Sequence, residues 1–355
     1  MASTATLGSG SFFDPEPAKI GKTKEILSGD QVETWRSKGA LHLSGVLSEQ
    51  LVESLRTEIG DIAGGGGTKF GIEGELTFPS PAKSINQASV HMDIIRIAKQ
   101  LLGTTCVRLT QAEAWEKTGV DKKRFEKRKP RESHDQRIHC DYPNHTLVHP
   151  SNWDNPDAVS FILYLSDYEK CAGGTAVVLR EGKEDPAYTP GASVLTPGVT
   201  GHWINDREMA ETNYRSRNPD VYKFRQSLYK REVCTRYKKG SLLVYRQDLW
   251  HRGTRVTPGA QRYVMNITYR RKDAEWIGNW QGGWAKRNYL LCWPERRLES
   301  TIANLLPPQR TVLGFPEPGH RYWNKFTLAA VAARYSKFGM DMEPYRKAML
   351  KETAE

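Results

Sequence analysis

Cysteine is scarce: five residues in a chain of 355, placed singly at Cys106, Cys140, Cys171, Cys234 and Cys292, with no Cys-x-x-Cys pair. An odd, scattered set excludes a disulfide framework and a zinc ribbon and points to a reducing compartment. Long apolar runs are missing too. The longest, at 159–165 and 326–333, fall far short of the roughly 18 residues a membrane span needs. No internal repeat recurs. Residues 1–13 lack a basic n-region and a sustained apolar stretch, so no secretory signal is expected. The expected location is the cytoplasm, with an organelle transit peptide left open by the Ser/Thr/Ala content of that stretch. The final Thr353-Ala354-Glu355 is no peroxisomal address.

What is present is charge and a core. Basic residues outnumber acidic ones 52 to 41, a net charge of +11, and 38% of residues are apolar. The chain therefore reads as a soluble globular protein whose partners are anionic.

Residues 1–22 read as a flexible leader. Helical patterns at 29–35 and 48–62, the second with Ser48 as N-cap, bracket an alternating strand at 40–45. Glycines 64–67 make a loop. Apolar residues recur at helical spacing over 92–102 and stop at Gly103, a suitable C-cap. After Cys106 the texture changes to short β-like runs at 106–114, 136–140, 158–165, 175–179, 241–245, 253–257 and 262–269. Turn signals such as Gly173-Gly174 and Pro258-Gly259 divide them. Helices first and short strands after predict a mainly β sandwich or barrel backed by helices. Two basic insertions, 117–131 and 200–236, are expected as loops overhanging a site. Residues 273–355 read as a Trp-rich extension, helical from about 324 to 350 and packed on the same domain.

The segment Arg137-Ile138-His139-Cys140-Asp141 carries the chemistry. On an extended strand, residues two apart point the same way, so His139 and Asp141 present an imidazole and a carboxylate side by side. His251, at the edge of another β-like run, supplies a third ligand. Two histidines and one carboxylate with open positions suit non-haem Fe(II). A second His-x-Asp, His91-Met92-Asp93, opens a helical pattern where residues two apart do not share a face, and is structural. If Pro258-Gly259 turns a hairpin, Arg255 pairs with Arg262, and His251 lies on the same face about 14 Å further along. Arg262 could then grip the distal carboxylate of 2-oxoglutarate while the 2-oxo acid end chelates iron. Arg255 is the competing candidate.

His139-x-Asp141, His251 and an arginine eleven residues later resemble the phytanoyl-CoA dioxygenase-like family of Fe(II)/2-oxoglutarate oxygenases. The likeness runs from about Asp30 to Arg271, through the 39–47 segment, the helix ending at Gly103, and Gly173-Gly174-Thr175. It implies a double-stranded β-helix, a jelly-roll core over about 104–271 within an oxygenase domain at 23–272 that includes the N-terminal helices; the core family does not account for the tail after Lys272, the helical C-terminal extension, or for the two basic insertions. It implies His139, Asp141 and His251 as metal ligands and Arg262 as the 2-oxoglutarate arginine, with Gln111 a further cosubstrate contact. Relatives often carry a hydroxyl residue two positions after the distal histidine. Gly253 stands there, so Thr254 or Thr268 must supply that contact, or nothing does. Asp141 speaks against a halogenase, which has Ala or Gly in its place.

By resemblance, Fe(II), 2-oxoglutarate and O₂, with ascorbate in support, oxidise a C–H bond of a small anionic metabolite and release succinate and CO₂. Hydroxylation, desaturation and ring closure of the kainoid type are all open, as is 2-hydroxylation of an acyl-CoA. Two readings stand apart: a nucleic-acid-directed oxygenase, ranked below a small substrate, and a metal-independent jelly-roll binding protein. The oligomeric state is not legible.

Overall fold

The computed structural model describes residues 11–18, 25–64, 74–78, 80–119, 135–150, 153–197, 204–274, 297–307, 310 and 315–352. Most of the leader, the basic run from Lys122 to Arg131, and the stretch with Trp276, Trp280, Trp284, Cys292 and Trp293 lie outside the described residues.

The described strands, in chain order, are β1 (Phe12–Phe13), β2 (Glu16–Pro17), β3 (Ala40–Ser44), β4 (Val107–Thr118), β5 (Ala158–Tyr164), β6 (Thr175–Val177), β7 (Val233–Thr235), β8 (Leu242–Tyr245), β9 (His251–Gly253) and β10 (Gln261–Arg271). They form two sheets, ordered β2-β3-β8-β5-β10-β4 and β1-β7-β6-β9.

Period-two alternation sorts the larger sheet into two faces. Val159, Phe161, Leu163, Leu242, Val244, Met265 and Ile267 look outward into a core shared with the N-terminal helices. Ile162, Tyr164, Leu243, Tyr245 and Val264 look inward, toward Val177 of the smaller sheet and Val178 just after it. All seven residues of β5 are buried because both faces are covered.

The covering helices begin and end where local chemistry dictates. Helix α1 (Gly29–Lys38) starts with a capping box between Ser28 and Gln31. It ends at Gly39, whose φ of +95° and contact with Leu249 exclude a side chain. Ser48 caps α2 (Glu49–Ala63). Helix α3 (Lys83–Ser89) follows, and α4 (Met92–Leu102) stops at Gly103. After α5 (Tyr142–His145) and α6 (Tyr168–Cys171), the 200–236 segment holds α7 (Arg207–Arg217) and α8 (Pro219–Arg231), where an overhanging loop was expected. Asn218 caps α8 and Pro219 occupies its first turn.

A third core gathers Leu147, Val148, Ile302, Phe315, Trp323, Val331, Tyr335 and Tyr345. It joins α9 (Arg297–Asn304), α10 (Lys325–Tyr335) and α11 (Glu343–Glu352) to the chain that follows Asp141.

Two strand expectations are corrected. The hairpin between β9 and β10 does not form. Gly259 does turn the chain, with φ of +80°, and Ala260 N–H donates to Thr257. However, β9 pairs with β6 in one sheet while β10 pairs with β4 and β5 in the other. Gly119, at the end of β4, takes the backbone bonds beside the turn that a hairpin partner would have made. Nor is 136–140 a continuous strand. It touches its neighbours through single bridges, Gln136 with Asp206 and His139 with His251. Pro143, in the first turn of α5, bends the chain into a helix immediately after Asp141. Among the described residues Cys106, Cys140, Cys171 and Cys234 are unbridged, and no helix is long and apolar enough to cross a membrane.

Candidate metal centre

His139 and His251 face each other through a reciprocal pair of 2.9 Å backbone bonds, which holds their rings 4.4 Å apart. Asp141 is not extended; at φ −83° and ψ −27° it sits just before α5. Even so, its carboxylate reaches both rings: Oδ1 lies 3.5 Å from His139 Nε2 and Oδ2 lies 3.3 Å from His251 Nε2. One ligand atom from each of the three lies within 4.8 Å of the others.

The Nδ1 atoms fix how the rings are used. His139 Nδ1 lies 3.1 Å from the Arg137 carbonyl and His251 Nδ1 lies 2.9 Å from that of Leu249. A carbonyl only accepts, so each Nδ1 carries the proton and each Nε2 offers its lone pair toward the common point. Tyr245 Oη donates to Asp141 Oδ2 at 2.8 Å, and burial pushes that phenol well above its ordinary value, so it remains a donor.

The electrostatics describe a place prepared for a cation. Burial drags His139 down to about 3, with Arg137 and His251 acting in the same direction against Asp141. At His251 the Asp141 carboxylate outweighs burial and holds the imidazole above its usual value. Burial alone would raise Asp141, but His251 and His139 keep it well below the normal carboxylate range. The Asp141 carboxylate thus stays ionised between the two imidazoles, the charge a bound cation would meet. Two neutral imidazoles and one carboxylate, backed by carbonyl acceptors, fit a divalent first-row metal.

These ligands line a cavity between the two sheets of about 760 Å³, including its open mouth. Arg262, Val264 and Asn266 face it from β10, while Tyr263 and Met265 pack in the outer core. Arg262 is buried, and its Nε and Nη1 have no hydrogen-bond partner. Gln111 lines the same cavity, its Oε1 accepting from Thr268 and its Nε2 donating to Glu113. Two expected contacts are not brought in. Thr254 donates its hydroxyl to the Gly174 carbonyl, and Thr268 bonds Gln111 and Ser160 behind the cavity wall. Arg255 lines a separate surface cleft with Asp135, Asp206 and Arg207.

Residues that sequence reasoning did not single out also line the cavity: Lys117, Gln136, Arg137, His145, Asn205 and Tyr245. Arg137 stands two positions before His139, a parity that could have flagged it. Burial holds His145 near 4 and therefore neutral. Lys117, expected in a loop, is the penultimate residue of β4.

His91 lies elsewhere. It is the N-cap of α4, its ring accepting from Asp93 N–H. His91→Ala should lower stability by no more than about 1 kcal/mol and leave iron binding intact. A matched thermal melt and iron titration check both.

Two buried ion pairs grip the ligand segment from either side. Arg225 bonds Glu211 and spends its remaining donors on the carbonyls of Ile138 and Leu195. Tyr229 Oη accepts from Ile138 N–H and donates to Glu211. On the other flank Arg334 bonds Glu299 and donates to the Pro143 and Thr146 carbonyls. Arg225→Met strands the Glu211 carboxylate and should cost about 3–5 kcal/mol in a denaturant titration. Replacing Glu211 as well should recover part of that loss. A double variant no better than the single one would assign the cost to the carbonyl bonds instead.

No protein-family model matches the sequence, and no curated protein matches it. Among solved structures, the chain is similar to SnoK, a non-heme alpha-ketoglutarate-dependent carbocyclase from nogalamycin biosynthesis. Identity is 16%, coverage 72% of this chain and 88% of that one, and the TM-score 0.48. It is also similar to apo EctD from S. alaskensis, at 12% identity, 76% and 85% coverage and a TM-score of 0.47. A third is HygX from Streptomyces hygroscopicus, with nickel, 2-oxoglutarate and hygromycin B bound, at 16% identity, 70% and 88% coverage and a TM-score of 0.43. At TM-scores of 0.43 to 0.48, the case for function rests on the site's own geometry.

Proposed function

We propose that this chain is an Fe(II)- and 2-oxoglutarate-dependent oxygenase acting on a small anionic metabolite. The observation that carries the reading is the convergence of His139 Nε2, His251 Nε2 and the Asp141 carboxylate, each histidine oriented by a carbonyl behind it. The chain crosses from one sheet to the other between β5 and β6 and at every step from β7 to β10, which supports a double-stranded β-helix at the core.

His139, Asp141 and His251 would hold an iron ion with coordination positions left for small molecules. Bound iron would activate O₂, the oxidant, one oxygen atom going to succinate as 2-oxoglutarate loses CO₂ and the other serving oxidation of the substrate C–H bond. The chain's own part is binding and orientation. Arg262 offers a buried guanidinium with donors to spare for the distal carboxylate. Tyr245 holds the Asp141 carboxylate in place. Arg137 adds positive charge beside both histidines, which favours a substrate bearing a carboxylate.

The test is succinate release with Fe(II), ascorbate and 2-oxoglutarate across a panel of carboxylated metabolites, with product analysis separating hydroxylation from ring closure or desaturation. Succinate formation stimulated by a panel member supports the reading. A protein that binds neither iron nor 2-oxoglutarate would be the metal-independent binding module instead.

A further inference from the structure

His139 and His251 form a hydrogen-bonded pair, each donating its backbone N–H to the other's carbonyl at 2.9 Å. Continued regularly, an antiparallel ladder would next bond the residues two further along each strand, Arg137 with Gly253. It does not. Gln136 takes that place: its N–H donates to the Gly253 carbonyl at 2.9 Å, and its side-chain Oε1 accepts from Gly253 N–H at 3.0 Å. Arg137 and Ile138 together thus lie opposite Arg252 alone, the two-against-one count of a β-bulge.

The bulge decides what the Arg137 carbonyl does. In a regular ladder it would accept from Gly253 N–H. Here the Gln136 amide oxygen fills that role, and the carbonyl turns to His139 Nδ1, 3.1 Å away. Asn205 holds the bulged residue from the other side. Its carbonyl accepts from Arg137 N–H at 2.8 Å and its Oδ1 from Arg137 Nη1 at 2.9 Å. Gly253 completes the arrangement. A Cβ there would come within 2.8 Å of Gln136 Oε1 and 3.3 Å of its Cδ, so a side chain at 253 would push the amide off the N–H it serves.

We propose that Gln136 is a positioning residue for the metal centre. By standing in for a backbone acceptor it holds the ladder out of register for one step, and so leaves the Arg137 carbonyl to orient His139. The proposal deepens the Fe(II)/2-oxoglutarate reading above and rests on it. Without the amide oxygen, Gly253 N–H needs another acceptor, and the regular ladder offers the Arg137 carbonyl. His139 Nδ1 would then lose the partner that fixes its tautomer and ring angle.

The experiment is titration of the full-length metal-free protein with Co(II), an air-stable stand-in for Fe(II), read by calorimetry and by visible absorption, beside a thermal melt. Gln136→Leu removes the oxygen at similar size. It should weaken Co(II) about 10- to 100-fold, the range for losing the hydrogen-bond partner of a metal-bound histidine, and shift the visible bands. Gly253→Ala displaces the same oxygen from the facing strand and should act likewise. Gln136→Glu keeps an acceptor oxygen in place and should stay near the wild-type affinity. Unaltered affinity and spectrum in both Gln136→Leu and Gly253→Ala, whatever the melting temperature, would overturn the proposal and leave Gln136 a purely structural part. An equal loss in Gln136→Glu would overturn it too, because the acceptor oxygen would not be what matters. A wild-type protein that binds neither Co(II) nor Fe(II) fails the functional reading itself, a result distinct from both.

Discussion

Asp141→Ala, His139→Ala and His251→Ala should each give a folded protein with no measurable succinate release. Each removes one of three ligands. Iron affinity should therefore fall by more than the roughly 10- to 100-fold that loss of an outer hydrogen-bond partner costs. The fold should survive, because the three apolar cores are built from other residues and none requires a metal. Asp141 is the sharpest of the three tests. Its carboxylate touches both imidazoles and takes the Tyr245 hydroxyl, so its loss leaves two histidines without a charged partner. Iron titration beside circular dichroism separates loss of the centre from loss of structure. Full turnover in any one variant would remove that residue from the ligand set.

Arg262→Ala should raise the KM for 2-oxoglutarate by about 10²- to 10⁴-fold. Removing one partner of a buried charged pair costs about 3–5 kcal/mol, because the other charge is left uncompensated in a dry site. Arg262→Lys should recover little, since a point charge cannot reproduce a two-pronged bond to a carboxylate. Iron affinity in the absence of cosubstrate should barely move. Arg255→Ala is the internal control. Arg255 lies on the surface, its backbone N–H bonded to Asp135, so its removal should change the KM for 2-oxoglutarate little. Measuring both variants side by side decides the assignment, and a large defect at Arg255 alone would reverse it.

The parts of this molecule governed by local chemistry were legible. Ser48 and Gly103 mark helix ends because caps satisfy backbone groups within a few residues. The alternation at 262–269 set Arg262 opposite in facing to Tyr263 and Met265, as β10 does. What failed depended on partners distant in sequence. Pro258-Gly259 is a turn in either account, and nothing local says whether its two arms pair or part into different sheets. Helices α7 and α8 escaped notice because their buried faces carry Glu211 and Arg225 among Ala210, Tyr214, Val221 and Leu228. A buried ion pair breaks the apolar period that marks an amphipathic helix. Asn218-Pro219, a cap followed by a first-turn proline, was the one local sign. Lys117 reads in sequence as the start of the basic run that follows it, yet it belongs to the strand before.

The two clamps on the ligand segment have a consequence for how the centre acquires its metal. Arg225 and Arg334 fix the carbonyls of Ile138, Pro143 and Thr146 through bonds made between protein groups alone. Chelating the metal should therefore leave the flanks of the ligand segment ordered, with the thermal melt little changed. Where a metal organises its own site, the ion that binds most strongly also folds the protein around itself. With walls held by arginines instead, choice among divalent ions would fall to ligand type, cavity shape and supply.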